Sequence, residues 1–214
     1  MNAQDLKNSI LQLAVQGKLV EQRAEEGTAR ELLEQIKLEK EQLIKDKKIK
    51  KSKPLPEITE DEIPFEIPES WEWVRLNVLF EVLNGDRGKN YPTFDEFTST
   101  GYCLFLNASN VTSTGFNFDN CMFVSEEKDK LMNKGHLSPY DIVLTSRGTL
   151  GNVALYDKHI KYENVRINSG MLIIRPKTKR LSPYFIYALL KSSYMKAAIE
   201  RFKSGSAQPQ LPIK

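Results

Sequence analysis

The apolar residues of this chain change their period partway along, and that change limits what the chain can fold into. Up to about residue 45 they recur at helical spacing. Leu6, Ile10, Leu13 and Gly17 mark one face of a predicted helix from about Ala3 to Gln16, and Gly17 suits its C-terminal cap. Thr28-Ala29-Arg30-Glu31 spells a capping box. Behind it, Leu32, Leu33, Ile36, Leu43 and Ile44 line one face of a longer helix rich in Glu and Lys. A helix with a single apolar stripe needs a partner to cover it. From Trp71 to about Arg175 the period is two. Strands are predicted at Glu72–Arg75, Cys103–Leu106, Met122–Val124, Ile142–Thr145, Asn152–Tyr156 and Met171–Arg175, punctuated by Gly, Asn, Asp and Ser. Alternation puts Trp71 and Trp73 on one face of the first strand, as core. Ser182-Pro183 then opens a helix to about Lys203, with Phe185, Leu189 and Leu190 on its apolar face.

Between the two periods lies a basic cluster, Lys45 to Lys53, followed by PLPEITEDEIPFEIPES with Pro54, Pro56, Pro64 and Pro68. This stretch reads as a linker that lies extended on a surface. The lysines can meet phosphate or simply solvate a helix end beside acidic residues. The expected architecture is α+β: a helical arm over 1–53, a linker over 54–70, a β-rich domain with flanking helices over 71–203, and a closing segment over 204–214. That segment, GSAQPQLPIK from residue 205, holds two prolines and two aliphatic residues. A tail without a role is normally polar and frayed, so this one reads as the approach to a further element.

With 40% hydrophobic residues in 214, a substantial core is available. No apolar run nears the ~20 residues of a membrane helix, and the N-terminus has no signal-peptide pattern. The expected location is cytoplasmic, with no membrane partner. Cys103, Cys121, His136 and His159 form no metal-ligand spacing and are read as ordinary residues, the cysteines as buried free thiols. There is no glycine fingerprint for a dinucleotide or a phosphate loop, and no catalytic set. The expectation is a non-enzyme without a cofactor of its own. Charge is uneven. Residues 140–214 hold thirteen Lys and Arg against four acids, so the remainder is net acidic although the whole chain carries +3. Such asymmetry suits a polyanion partner, and equally a solvated basic surface.

Three loops are chemically loaded. In Asn84–Pro92, Arg87 can grip a phosphate or fork onto guanine, Asn90 can pair with adenine, Tyr91 can pack on sugar or base, and Lys89 adds charge. The same residues would serve an ordinary Gly-Asp turn. Thr145–Asn152 lies between two predicted strands and presents Ser146, Arg147 and Thr149, which suit contacts to phosphates and base edges, or a hairpin that satisfies its own backbone. In Arg166–Gly170, alternation turns Ile167 inward and leaves Arg166 and Asn168 on the other face. Asn107 and Asn110 form a weaker fourth candidate, since Asn also makes turns.

Five segments together resemble the specificity subunits (HsdS family) of type I restriction–modification systems. LKNSILQLAVQGKLV at 6–20 resembles the end of that family's spacer helix. EKEQLIKDKKIKKSKPLPEITEDEIPFEIPESWEWVRL at 39–76 is similar to the lead into a target recognition domain. DIVLTSRGTLGNVAL at 141–155 and RINSGMLIIRP at 166–176 resemble its strand motifs, and GSAQPQLPIK at 205–214 its exit into a long helix. The resemblance implies a non-catalytic subunit whose recognition domain reads one half of a split double-stranded DNA target. Its helices would set the spacing and dock type I methyltransferase (modification) subunits, with a restriction subunit joining them. S-adenosylmethionine, ATP and Mg are then expected only on those partners. Gln208 and Gln210 would lie where the exit meets the DNA-facing edge. A full subunit of the family has two recognition domains and two spacer helices, so the resemblance covers about half of that architecture, and self-association through the uncovered helical stripe stays open. The competing reading is a protein-interaction module that acts through the helical arm and binds no DNA.

Overall fold

A computed structural model describes residues 2–47, 55–205 and 209–211. The basic cluster beyond Lys47, Gln208 and the last three residues lie outside them. The chain forms two compact units, Met1–Leu79 and Phe80–Lys214.

The first unit opens with α1 (Ala3–Val15). Asn2 caps it, accepting from Asp5 N at 2.9 Å, while the Asp5 carboxylate accepts from Asn2 N at 3.1 Å. Gly17 ends the turn at φ +68°, where a Cβ would stand 2.5 Å from Pro68 Cγ, so both the left-handed backbone and the close approach require glycine. α2 (Ala29–Lys45) starts at the Thr28–Glu31 capping box, as its sequence predicts, and buries Ile36.

Residues 55–70 are tied into the first unit. Ala29 N donates to Ser70 O at 2.8 Å, and Trp71 Nε1 donates to Gln22 Oε1 at 2.9 Å. The Arg75 guanidinium reaches Glu57 O and both carboxylate oxygens of Glu62 at 2.6–2.7 Å. Residues 72–75, expected as a strand, form none, and the short helix α3 (Leu76–Leu79) follows them. Trp71 and Trp73 are half-buried, and Trp73 meets Phe65 edge-on at 5.1 Å. Contacts divide the chain after Leu79, whereas the sequence suggests a second domain from residue 71.

The Arg75 pair makes a pH prediction. Hydrogen bonds from Arg75, then from the Thr59 backbone, hold the Glu62 carboxyl down at about 2. A depressed carboxylate contributes stability above its ordinary value of about 4.3 and loses it as pH falls through the folded value. A carboxyl-resolved NMR titration should show Glu62 still ionised at pH 3, and a midpoint near 4 would mean that the pair does not form.

The second unit contains β1 (Phe80–Asn84), β2 (Cys103–Leu106), β3 (Val111–Thr112), β4 (Gly115–Phe116), β5 (Phe123–Val124), α4 (Glu126–Leu131), β6 (Ile142–Thr145), β7 (Val153–Leu155), β8 (Val165–Ile167), β9 (Met171–Pro176), α5 (Pro183–Lys191) and α6 (Ser193–Phe202). Four antiparallel strands run β1-β9-β6-β7. Three more run β5-β2-β8, with β2 and β8 parallel, and β3-β4 is a small hairpin. The central strands are buried on both faces: β2 and β6 expose no residue, and Leu104, Val143, Ile167 and Ile173 fill the space between the two larger sheets. That burial suits near-continuous apolar runs in place of strict alternation.

A buried charge ties neighbouring strands of the four-stranded sheet. Asp141 is fully buried and accepts from Arg175 Nε at 2.9 Å and Nη2 at 2.7 Å. Both cysteines are free; Cys103 is buried and Cys121 half-buried. Burial pushes the Cys103 thiol well above its ordinary range, with Asp129 adding to the effect, so it is a poor nucleophile.

The final predicted helix is two helices. Ser192 is fully buried at φ −64°, ψ 158°. Its hydroxyl donates to Leu189 O at 2.6 Å and accepts from Met195 N at 3.2 Å, ending α5 and capping α6 with one side chain. Ile186, Leu190 and Ile199 are buried and Phe185 is exposed, so the inward face differs from the expected Phe185, Leu189 and Leu190.

Candidate functional site

The β1–β9–β6 pairing brings the ends of three loops to one edge of the second unit. β1 leads into Gly85–Pro92, β6 leads into the tip Ser146–Asn152, and the turn Asn168–Gly170 leads into β9. Register sets the meeting point: Asn84 faces Leu172, and Thr145 faces Met171.

The loops are joined mainly through backbone groups. Arg87 Nη2 donates to Ser169 O at 2.9 Å. Gly170 O accepts from Ser146 N at 2.9 Å, Arg147 N at 3.1 Å and the Ser146 hydroxyl at 3.0 Å. Residues 209–211 fold onto the same tip. Gly148 N donates to Pro209 O at 3.2 Å, Leu211 N donates to Ser146 O at 3.0 Å, and Gln210 bridges to both Arg147 and Ser204. Residues 209–211 thus have a structural task within the second unit.

Gly85 makes the approach possible. A Cβ there would sit 2.1 Å from Asn168 O and 2.6 Å from Asn168 C. Beside it, a cleft of about 360 Å3 is lined by Asn84–Gly88, Asn133 and Lys134. Asp86 anchors this loop from below. It is buried, which works against its charge, yet it accepts from Gly88 N at 2.6 Å, Asn133 N at 2.8 Å and Lys134 N at 3.2 Å. Those donors, with Arg166 nearby, hold its carboxyl below the ordinary range.

The expected contact residues separate into three groups. Arg87, Lys89, Thr149 and Gln210 are exposed, and Arg147 is half-buried with its backbone fixed on both sides. These stand at the shared edge and its rim. Asn90, Tyr91, Asn107 and Asn168 are half-buried and already engaged. Asn90 Nδ2 donates to Leu131 O at 2.9 Å, Tyr91 packs edge-on against Phe105, Asn107 Oδ1 accepts from Ser109 N at 2.8 Å, and Asn168 Oδ1 accepts from Gly170 N at 2.9 Å.

Arg166, Asn110 and Ser146 are buried, contrary to their reading as contact residues. Arg166 is 6% exposed, pairs with Asp129, and donates to Lys134 O, Asp129 O and Met132 O. Alternation failed there because β8 is covered on both faces. Asn110 spends its amide on Asn117 O and Asn120 O, and Ser146 spends its hydroxyl on Gly170. Sequence reasoning missed Asp86 and Gly85, whose one signal was their place beside a chemically loaded arginine.

Among the described residues no His, Cys, Asp and Glu side chains group to hold a metal, and no helix is long and apolar enough to cross a membrane.

A family model described as the type I restriction modification DNA specificity domain matches residues 68–214. The EcoAI type I restriction enzyme specificity subunit of Escherichia coli is 42% identical over 150 residues, covering 70% of this chain and 25% of that protein. The EcoEI specificity subunit of Escherichia coli is 52% identical over 83 residues, 39% of this chain and 14% of that one. A crystal structure of the HsdS subunit from Thermoanaerobacter tengcongensis aligns with a TM-score of 0.47 at 16% identity, over 70% of this chain and 35% of that chain. The chain therefore spans at most about a quarter of the length of the two curated relatives it matches.

Proposed function

The chain belongs to the type I restriction modification DNA specificity family, and from that premise we propose that its second unit reads one half of a bipartite duplex target. The observation that carries this reading is the convergence of Arg87, Arg147 and Gln210 on one edge held by backbone hydrogen bonds. Loops fixed to a rigid sheet are the usual place for such contacts. Phosphate contacts from Lys89 and the wider basic half set register, and the forked guanidinium groups of Arg87 and Arg147 read base edges in the major groove. Arg87 spends one N–H on Ser169, and its other donors make no hydrogen bond among the described residues.

Catalysis falls to other subunits in this reading. S-adenosylmethionine, ATP and Mg belong with the methyltransferase and restriction partners. The helical arm docks those partners: Leu6, Ile10 and Leu13 lie on one exposed face of α1, at the spacing of a helix that packs on another. A module acting through the arm alone is the weaker reading, because the matched residues begin at 68, beyond both arm helices.

Selection from random duplexes, with the chain mixed with its type I methyltransferase subunit, should enrich a short motif. Arg147→Ala and Arg87→Ala should each weaken binding to that motif by about 1–3 kcal/mol, the worth of a bidentate base contact, with unchanged melting. If both variants bind the motif like the parent, the reading edge lies elsewhere. A folded, co-eluting complex that enriches nothing would favour the interaction module.

A further inference from the structure

A second cleft, of about 290 Å3, opens where three parts of the second unit meet. Ser113 comes from the β3–β4 turn, residues 150–153 come from the far side of the β6–β7 tip, and Lys191, Lys196 and Glu200 come from α5 and α6. Its walls are in contact. A Cβ on Gly151 would stand 3.4 Å from Ile199 Cδ1, and one on Gly115 would stand 3.3 Å from the Tyr187 hydroxyl. The cleft therefore shares its wall with the loop that carries Arg147.

Its charges do not balance internally. Lys191 is half-buried; its ammonium donates to the Tyr187 hydroxyl at 3.2 Å and lies 5.0 Å from that ring's centre. Both partners are neutral. Burial pushes the Lys191 ammonium below its ordinary range. Lys196 is exposed and makes no ion pair among the described residues. Glu200, the single carboxylate in the lining, is held by Lys203. A partly desolvated cation without an anion is costly, and the cost is offset when an anion arrives. A phosphodiester fits this chemistry: one negative charge, acceptor oxygens for two ammonium groups, and a further acceptor for the Ser113 hydroxyl.

Resting on the DNA-reading role proposed above, we infer that this cleft seats one backbone phosphate of the bound duplex, with Lys191 as its fixed donor and Lys196 as its mobile one. The seat sets the register of the β6–β7 tip on the duplex and carries no sequence information itself.

The test measures duplex binding by the full chain across a salt series, for the parent, Lys196→Gln and the Lys191→Gln/Lys196→Gln pair. Lys196 is exposed, so its variant keeps the fold, and melting curves check the pair. Losing the one seated phosphate in the pair should reduce the slope of log affinity against log salt by about 0.9, and Lys196→Gln alone should reduce it by less. The loss should be equal for target and scrambled duplexes, unlike that of Arg147→Ala. In parallel, duplex should slow acetylation of Lys191 and Lys196 but not of Lys158. Unchanged slopes in both variants while the duplex still binds overturn the seat and leave the DNA reading standing. No duplex binding by the parent overturns both. Inorganic phosphate that protects Lys191 as fully as duplex, at equal phosphate concentration, assigns the cleft to free phosphate and overturns the duplex seat.

Discussion

Arg166→Ala is expected to cost about 3–5 kcal/mol of stability, the range for breaking a buried ion pair by removing one partner. The side chain is 6% exposed, and its ion pair with Asp129 joins β8 to α4. Its guanidinium also satisfies Lys134 O at 2.6 Å, Asp129 O at 2.9 Å and Met132 O at 3.1 Å. Truncation removes the guanidinium from the buried Asp129 carboxylate and from the Lys134 and Met132 carbonyls, while Asp129 O keeps the Met132 N–H. Arg166→Lys should recover little, because one ammonium cannot reach acceptors that a planar fork serves. Urea denaturation of the parent and both variants checks this. A midpoint within error of the parent for Arg166→Ala would show that the pair contributes no stability. The residue sits beneath the Asp86 anchor, so any loss of DNA binding in the variant should track the loss of fold.

Gly85→Ala should have the second-largest effect, and on binding more than on melting. Its methyl would stand 2.1 Å from Asn168 O and 2.6 Å from the carbonyl carbon, both of them backbone. No rotamer change relieves that clash, so the first loop must move off the Asn168–Gly170 turn. Overpacking of this kind costs about 1–3 kcal/mol. The movement also breaks the Arg87–Ser169 hydrogen bond and carries Arg87 away from Arg147. Duplex affinity should fall at least as far as in Arg87→Ala, while the β5-β2-β8 sheet keeps its hydrogen-exchange protection. Parent-like affinity in Gly85→Ala would mean that the first loop does not have to sit against the turn.

Much of this fold was legible because its signals are local. The Thr28–Glu31 box and Gly17 mark helix ends through chemistry within four residues. The apolar runs at 103–106 and 142–145 are strands at those bounds. The failures share a different cause. Arg166 looked like a surface residue because its partner Asp129 is 37 positions away. The three residues of β8 are too few for any period to show. Ser192 looked like one more polar position in a helix, and its double capping needs both helices in place. The Arg75–Glu62 pair that ties the linker down is likewise invisible in a proline composition.

The edge itself was half legible. Arg87 and Arg147 are visible in the sequence as loop arginines, and their loops meet at one edge. Their neighbourhood was not predictable, because it follows from strand order β1-β9-β6 and from the return of residues 209–211.

The hydrogen bonds that close this edge use almost entirely main-chain atoms: Ser169 O, Gly170 O, Pro209 O, Ser146 N and O, Arg147 N, Gly148 N and Leu211 N. Main chain is common to all residues, so the frame does not depend on which side chains it displays. Arg147, Thr149 and Gln210 can be exchanged while those bonds persist. On the proposed DNA-reading role, preference for a new sequence becomes a matter of swapping letters in a fixed socket, so a chain built this way can diversify its targets quickly while its architecture stays put.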